Sequence, residues 1–406
     1  MSNFDVKVRK IDSKEAHPNA DRLTIYHIGG YTCISNKLED GSDRYNVGDL
    51  VVYIPSDSLL PQWMLKKMGF WDEANSKGTL CGKDGNRVRP CKLRGVFSEG
   101  LLFPCLTVKE FDEGFTVLAE QKPTDKFVWN ESSNEGYVKY VLADEGEPMD
   151  EFLGIEKYEP AIPATMAGDV FNGGTEIVIP YDVEPIEKYM NSLIDGETVE
   201  FTEKIHGTQT RFTFTKGITH HETFGKNKDV YISSKGMGNK GLFLKDNPTN
   251  DNSYYVRAFR ELNIEDKVKN TDLYKDNDML TLYGETYGMQ DLKYGLDNGK
   301  IGFRLFDVYV GKPHFGRYLD FNECKAFAEE LGIERVPSLY VGPYSMDKVK
   351  EYTDGKTTCG TNLNQIREGI VIRPLNERYE DELGRVMVKS VSQAYKLRKG
   401  ETTEYN

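Results

Sequence analysis

Along the first 110 or so residues, apolar positions gather in short runs broken by Gly, Asn and Asp: Val6–Ile11, Leu23–Ile28, Tyr31–Ser35, Leu50–Ile54 and Leu101–Phe103. Short strands with that punctuation predict a small β-barrel or sandwich. Residues 64–77 read as a short helix and loop inserted into it. From about 110 to 160 the chain turns polar and acidic, with a loop at Ala143–Pro148 and a helical turn at Met149–Leu153. Pro160 and Pro163, followed by the glycines between 168 and 174, place a linker at 156–180. The expected division is therefore 1–155, a linker at 156–180, and a second domain over 181–406.

The second half mixes two periods. Alternation of strand type covers Val199 and Phe201, Arg211–Thr215, Val230–Ser234, Leu280–Tyr287, Ile301–Val310, Gly369–Pro374 and Arg385–Val391. Helical spacing covers Asn252–Leu262, where Tyr255, Phe259 and Leu262 share a face. It also covers Phe321–Leu331, where Cys324, Phe327, Ala328 and Leu331 do so and Gly332 closes the helix. Pro185–Met190 reads as a helical turn. Strands and helices interleaved in this way predict an α+β domain.

Composition narrows the class. A chain of 406 residues exceeds one ordinary domain. A net charge of −13 argues against a protein that coats nucleic acid non-specifically, while leaving room for a local basic track on an acidic body. The six cysteines form no C-x-x-C pair, so a structural zinc is not expected and reduced thiols in the cytoplasm are. No window reaches the length and apolarity of a membrane span, and the first residues carry no apolar signal core. A soluble, cytoplasmic monomer is the expectation.

Candidate chemistry sits where the strands end. Lys204, in Lys204-Ile205-His206-Gly207 between two predicted strands, has the setting of a covalent nucleophile, which attacks only as the neutral amine. Gly207, without a Cβ, would let the backbone approach a phosphate or ribose. Ser234-Lys235, Glu285 after Gly284, Phe306-Asp307, Glu368-Gly369 and Lys389 follow in order, each at or near a strand end. Taken singly, each is more simply a solvated strand end, a core aromatic or a surface lysine. Lysines 226, 228, 235, 240 and 245, and the terminal Lys396, Arg398 and Lys399, form two basic clusters; at least one is expected to track a phosphate backbone.

Taken together, the order Lys204-x-His206-Gly207, Ser234-Lys235, Glu285, Phe306-Asp307, Glu368-Gly369 and Lys389 resembles the nucleotidyltransferase motifs of the covalent ligase and capping-enzyme superfamily. Lys-Ile-His-Gly is similar to its RNA ligases. In the first domain, His17-Pro18-Asn19-Ala20-Asp21-Arg22-Leu23 resembles a loop of OB-fold tRNA-binding domains. With Lys92-Leu93-Arg94-Gly95-Val96-Phe97-Ser98-Glu99-Gly100-Leu101-Leu102, it gives a chain similar to the Deinococcus-type RNA ligases.

The resemblance implies an N-terminal OB-fold β-barrel followed by an α+β adenylylation domain. It implies ATP and Mg²⁺ or Mn²⁺ as cofactors and RNA, as a nicked duplex or RNA/DNA hybrid, as partner. Lys204 would form a lysyl-adenylate. Glu285 would hold the ribose, Glu368 the metal, and Phe306 would stack on adenine. Lys389, Lys235 and Arg211 would meet phosphates, and His206 and Gly207 would line the nucleotide site. Related ligases often carry a second lysine where this chain has Met387, and some have Arg at the position of Lys235. A DNA ligase or GTP-using capping enzyme of the same superfamily, or a non-catalytic OB-fold RNA-binding protein, are the rival readings.

Overall fold

The computed structural model describes residues 4–106, 127–130, 137–158, 168–217, 223–225 and 229–398. The chain divides into two compact units, 3–160 and 161–406. Residues 159–167 of the expected linker lie outside the described residues, as do Lys226, Lys228 and Lys399 of the basic clusters.

The first unit is built on a five-stranded sheet. Lys7–Lys10, Leu50–Ile54 and Leu101–Leu106 are its antiparallel half; Tyr137–Leu142 and Phe127–Asn130 extend it. Alternation along these strands sends Val8, Val52, Ile54 and Phe103 to one face, where Leu60, Met64 and Leu65 cover them. Val51, Tyr53 and Leu102 go to the other, against Tyr26, Ile28 and Cys33 of a three-stranded sheet, Ser13–Ala16, Leu23–Ile28 and Tyr31–Asn36. The helix expected in 64–77 runs from Gln62 to Met68 and ends on Gly69 in the left-handed conformation.

The loop at His17–Leu23 has a definite local task. The ring of His17 accepts from the Asn19 backbone at Nδ1 (3.1 Å), so Nε2 carries the proton and donates to the Leu93 carbonyl at 2.9 Å. The Asn19 amide donates to the Arg94 carbonyl at 3.0 Å. Both bonds brace the turn of the hairpin Cys91–Leu93/Val96–Ser98, whose Arg94 and Gly95 are left-handed, with φ of 47° and 92°.

The second unit stacks two further five-stranded sheets. One has the order Glu184–Pro185, Val388–Val391, Gly369–Pro374, Thr198–Lys204, Ser338–Pro343. The other runs Val230–Ser234, Gly207–Thr215, Met279–Tyr287, Gly302–Val310, Arg317–Tyr318. The chain passes from the first to the second through Ile205 and His206 alone. Outward-facing Phe212, Phe214, Leu280, Leu282 and Val308 pack on the helices Tyr254–Glu261, Ile264–Lys269 and Phe321–Leu331. On the other sheet, Val199, Phe201, Ile370 and Ile372 pack with Val349 of the helix Met346–Thr353.

Phe306 breaks the expected alternation of Ile301–Val310. The pairing register jumps from Tyr283 opposite Asp307 to Gly284 opposite Leu305, leaving Phe306 as the extra residue of a β-bulge. Leu305 and Val308 therefore keep to the outer core while Phe306 is turned to the inner face. Gly284 makes the kink possible: a Cβ there would lie 2.1 Å from the Phe303 ring.

Candidate active site

The inward faces of the two sheets enclose a cavity of about 420 Å³. Alternation explains who lines it. On the strand ending at Lys204, Val199 and Phe201 point outward, so Glu200, Thr202 and Lys204 point inward. The same parity brings in Val371 and Arg373, then Met387 and Lys389, from the neighbouring strands. The opposite sheet supplies Gly207, Gln209, Ser234, Glu285 and the bulged Phe306. Of the residues singled out in the sequence, Lys204, His206, Gly207, Lys235, Glu285, Phe306, Glu368 and Lys389 all line this one cavity.

Lys204 Nζ donates to Glu368 Oε1, tying the last residue of one strand to the residue preceding its antiparallel neighbour. Glu368 is 2% exposed, and its Oε2 is a buried acceptor without a hydrogen-bond donor. Glu285 faces this pair from the other sheet. Burial pushes its carboxyl up to about 8; Lys204 opposes that rise and Glu368 adds to it. The two carboxylates thus have unlike chemistry within one site. Lys235 begins the short helix Lys235–Gly238 and pairs with Asp182 at 2.7 Å; burial depresses its ammonium and Asp182 partly restores it. Lys389, only 4% exposed, adds a further cation. Phe306 sits 5.3 Å from the Tyr181 ring and leaves part of its own surface to the cavity.

Arg211 is different. It shares the inward face of its strand with Gln209 but does not line the cavity. It is buried with its guanidinium 5.7 Å from the centre of the Tyr283 ring, and a Cβ on Gly238 would lie 3.1 Å from its Nη1. None of its three side-chain nitrogens has a hydrogen-bond partner, and burial lowers its tendency to stay charged. The glycine of Lys-Ile-His-Gly also owes its identity to the protein itself. A Cβ on Gly207 would meet the Thr286 carbonyl at 2.3 Å and Glu285 Oε1 at 3.0 Å, so the adjacent strand rather than a ligand occupies that space.

His206 is held on both nitrogens. Nε2 contacts Asp291 Oδ1 at 2.7 Å, Nδ1 contacts the Tyr395 hydroxyl at 2.8 Å, and its backbone N–H donates to the Tyr294 hydroxyl at 2.6 Å. Nδ1 is also 3.8 Å from Glu368 Oε2. Asp291, Tyr294 and Tyr395 give no sequence signal, since two lie in an irregular segment and the third in the four-residue helix Gln393–Lys396. Arg373 and Glu203, which also line the cavity, are likewise silent in the sequence; Glu203 accepts from Thr357 and Thr358. The described members of the terminal basic cluster face carboxylates: Lys396 lies 3.7 Å from Glu187 and Arg398 2.7 Å from Asp291. Met387 is buried, and its sulfur accepts from the Tyr181 hydroxyl at 3.5 Å.

Among the described residues no three His, Cys, Asp or Glu side chains converge as a ready-made metal cage. Glu368, an oxygen-only donor with one buried unpartnered oxygen, does fit a hard cation that takes its other ligands from water and phosphate.

Comparison with known proteins agrees with this architecture. Residues 197–391 match the family model for RNA ligase, and residues 5–105 match that of an OB-fold domain. The chain is therefore an N-terminal OB-fold domain followed by a mixed α+β ligase domain. No curated protein matches by sequence. Among solved structures, Naegleria gruberi RNA ligase with PPi is 21% identical, with a TM-score of 0.66 over 97% of this chain and 98% of that one. A mutant of the same ligase with ATP and Mn is 20% identical, with a TM-score of 0.65 over the same shares. At that identity the likeness is one of fold.

Proposed function

We propose that the protein is an ATP-dependent RNA ligase that joins RNA 3′-hydroxyl and 5′-phosphate ends through a lysyl-adenylate on Lys204. The observation that carries this is the convergence of Lys204, Glu285, Glu368, Lys235 and Lys389 on one cavity, from five separate stretches at or near strands scattered over 186 residues of sequence (204 to 389 inclusive). The match to the RNA ligase family over the same segment supports it.

The roles follow from the chemistry of each group. Lys204 forms the bond to the α-phosphorus of ATP as pyrophosphate leaves, and Glu368, already in contact with the amine, is the nearest acceptor for its proton. Glu285, with its carboxyl raised to about 8, can donate to or accept from ribose hydroxyls. Phe306, turned inward by the bulge, offers its face to adenine. Lys235 and Lys389 balance phosphate charge from opposite sheets. Glu368 would hold Mg²⁺ or Mn²⁺, which supplies charge neutralisation at the phosphates when bound. AMP then passes to an RNA 5′-phosphate, and a 3′-hydroxyl displaces it. The OB-fold domain suits engagement of the duplex beside the nick, and the six free cysteines fit a reducing, cytoplasmic setting.

Incubation with ATP and Mn²⁺ or Mg²⁺ is expected to leave AMP on the wild-type protein and none on Lys204→Ala. A Lys204→Ala protein labelled at the wild-type level would falsify the assignment. GTP and NAD in place of ATP separate this reading from a capping enzyme or NAD-dependent ligase. Nicked duplexes with an RNA or a DNA 3′-hydroxyl strand separate RNA from DNA sealing.

A further inference from the structure

The chain beyond the last sheet strand does more than end. Ser392 caps the helix Gln393–Lys396 by accepting from the Tyr395 backbone at 3.3 Å. Its own backbone N–H donates to the Glu368 carbonyl at 2.8 Å, and its hydroxyl to Asp354 at 2.6 Å. This cap therefore ties the helix to the residue that contacts Lys204. From the helix, Tyr395 is 1% exposed and puts its hydroxyl on His206 Nδ1. Arg398 lays its guanidinium 3.5 Å over the Tyr395 ring and donates from Nε to Asp291 Oδ2 at 2.7 Å. Asp291 in turn holds His206 Nε2 through its other oxygen. Hydrogen bonds from His206 and then Arg398 keep its carboxyl well below the usual carboxylate range.

The result is a closed bracket. Arg398 grips both Tyr395 and Asp291, and those two grip the two nitrogens of one imidazole. A ring held on one side only can swing about its χ angles; held on both it has one orientation. That orientation puts Nδ1 3.8 Å from the otherwise unpartnered Glu368 Oε2, whose other oxygen meets the nucleophile.

We propose that Asp291, Tyr395 and Arg398 are positioning residues, which fix His206 against Glu368 and so set the geometry of the Lys204–Glu368 pair. The inference rests on the ligase reading above. None of the three lines the cavity, so none is expected to bind nucleotide itself. Small misplacements at a reacting centre are costly: about 1 Å can lower a rate by about 10²-fold. A partial loosening through one intermediary should cost less.

The test measures self-adenylylation by the full-length protein at varied ATP, with thermal melting as a check on folding, for Arg398→Ala, Arg398→Lys, Tyr395→Phe and Asp291→Asn. The expected result is a maximal rate about tenfold lower for Arg398→Ala, Tyr395→Phe and Asp291→Asn, with the KM for ATP within about twofold of wild type. Arg398→Lys keeps a donor for Asp291 but loses the planar stack, and should recover part of the rate. Combining Asp291→Asn with Arg398→Ala should add little to either alone, because both open the same bracket. Wild-type rates in all the single variants would overturn the inference while leaving the ligase reading intact, and so would a raised KM at an unchanged maximal rate. A wild-type protein that takes no label overturns the ligase reading itself, and this inference with it. Tyr395→Phe and Arg398→Lys preserve volume, so at least these two report on positioning even if a harsher change unfolds the helix.

Discussion

The central sheet of the first unit and the facing sheets of the second are built from the same alternating strands, yet their interiors differ in kind. In the first unit both faces of the sheet are apolar: Val8, Val52 and Phe103 on one side, Val51, Tyr53 and Leu102 on the other. In the second, the seam between sheets buries Glu200, Asp307, Arg373, Glu368 and Lys389, each at most 4% exposed. Placing a charge out of water is expensive unless partners compensate. The deep end of the seam shows such compensation. Glu200 lies between Arg335 at 3.0 Å and Arg373 at 3.3 Å, and Asp307 meets Arg385 at 2.6 Å and the Tyr181 hydroxyl at 2.8 Å. Nearer the cavity, Lys235 pairs with Asp182 at 2.7 Å and, with Lys389 and Glu285, also lines the space between the sheets. Charges turned wholly toward each other build the scaffold, and those that also line the cavity can meet a ligand.

The contrast can be broken most severely at its open end. Lys389→Ala is expected to lower the rate of self-adenylylation by about 10²-fold or more while leaving the melting temperature near wild type, as read from label incorporation and calorimetry together. Loss of melting temperature with retained labelling would make Lys389 part of the scaffold instead. At the compensated end the effects should reverse. Glu200→Gln takes the carboxylate from between half-buried Arg335 and buried Arg373, which keeps Asp307 at 3.6 Å and Glu377 at 3.8 Å, and should cost about 3 kcal/mol in denaturant unfolding. Phe212→Ala, in the apolar outer layer, should cost about the same through its cavity, without any effect specific to ATP.

Glu285 gives a pH-dependent version of the same contrast. Its folded carboxyl titrates near 8, above its ordinary value of 4.5, so the native state holds the proton more tightly than the unfolded chain does. That contribution is complete below about 4.5 and is lost as pH rises through 8. Stability of the second unit should therefore decline over this window by an amount on the order of a few kcal/mol. Glu285→Gln should flatten the decline, and an identical pH profile for the two proteins would contradict the assignment. Smallest of all, His17→Ala in the first unit removes the hydrogen bonds to the Leu93 carbonyl and from the Asn19 backbone and should cost about 1–2 kcal/mol, with self-adenylylation unchanged.

How much of this was legible in the chain depends on whether local pattern and tertiary use agree. The strands carrying Lys204, Glu285, Glu368 and Lys389 announce themselves by alternation, because one face is apolar and the other is not. Ser13–Ala16 does not, since it carries no large apolar residue and buries none of its four side chains. Ser338–Pro343 is equally hidden, an edge strand with no fully buried residue. Alternation alone misleads at Phe306, where a bulge in the pairing decides the facing and only the partner strand reveals it. It also gives Arg211 the correct face but not its depth. Asp291 and Arg398 are invisible for another reason: they lie 107 positions apart and acquire meaning only through the ring they share.

The two-residue passage through Ile205 and His206 has a mechanical corollary. Three peptide steps separate the Cα atoms of Lys204 and Gly207, and even a fully drawn-out chain spans only about 11 Å over that length. The Cα of Lys204 therefore stays within that radius of the first residue of the opposite sheet's strand, whatever else moves. Lengthening this short strap by a few glycines would loosen the nucleophile strand's hold on the opposite sheet.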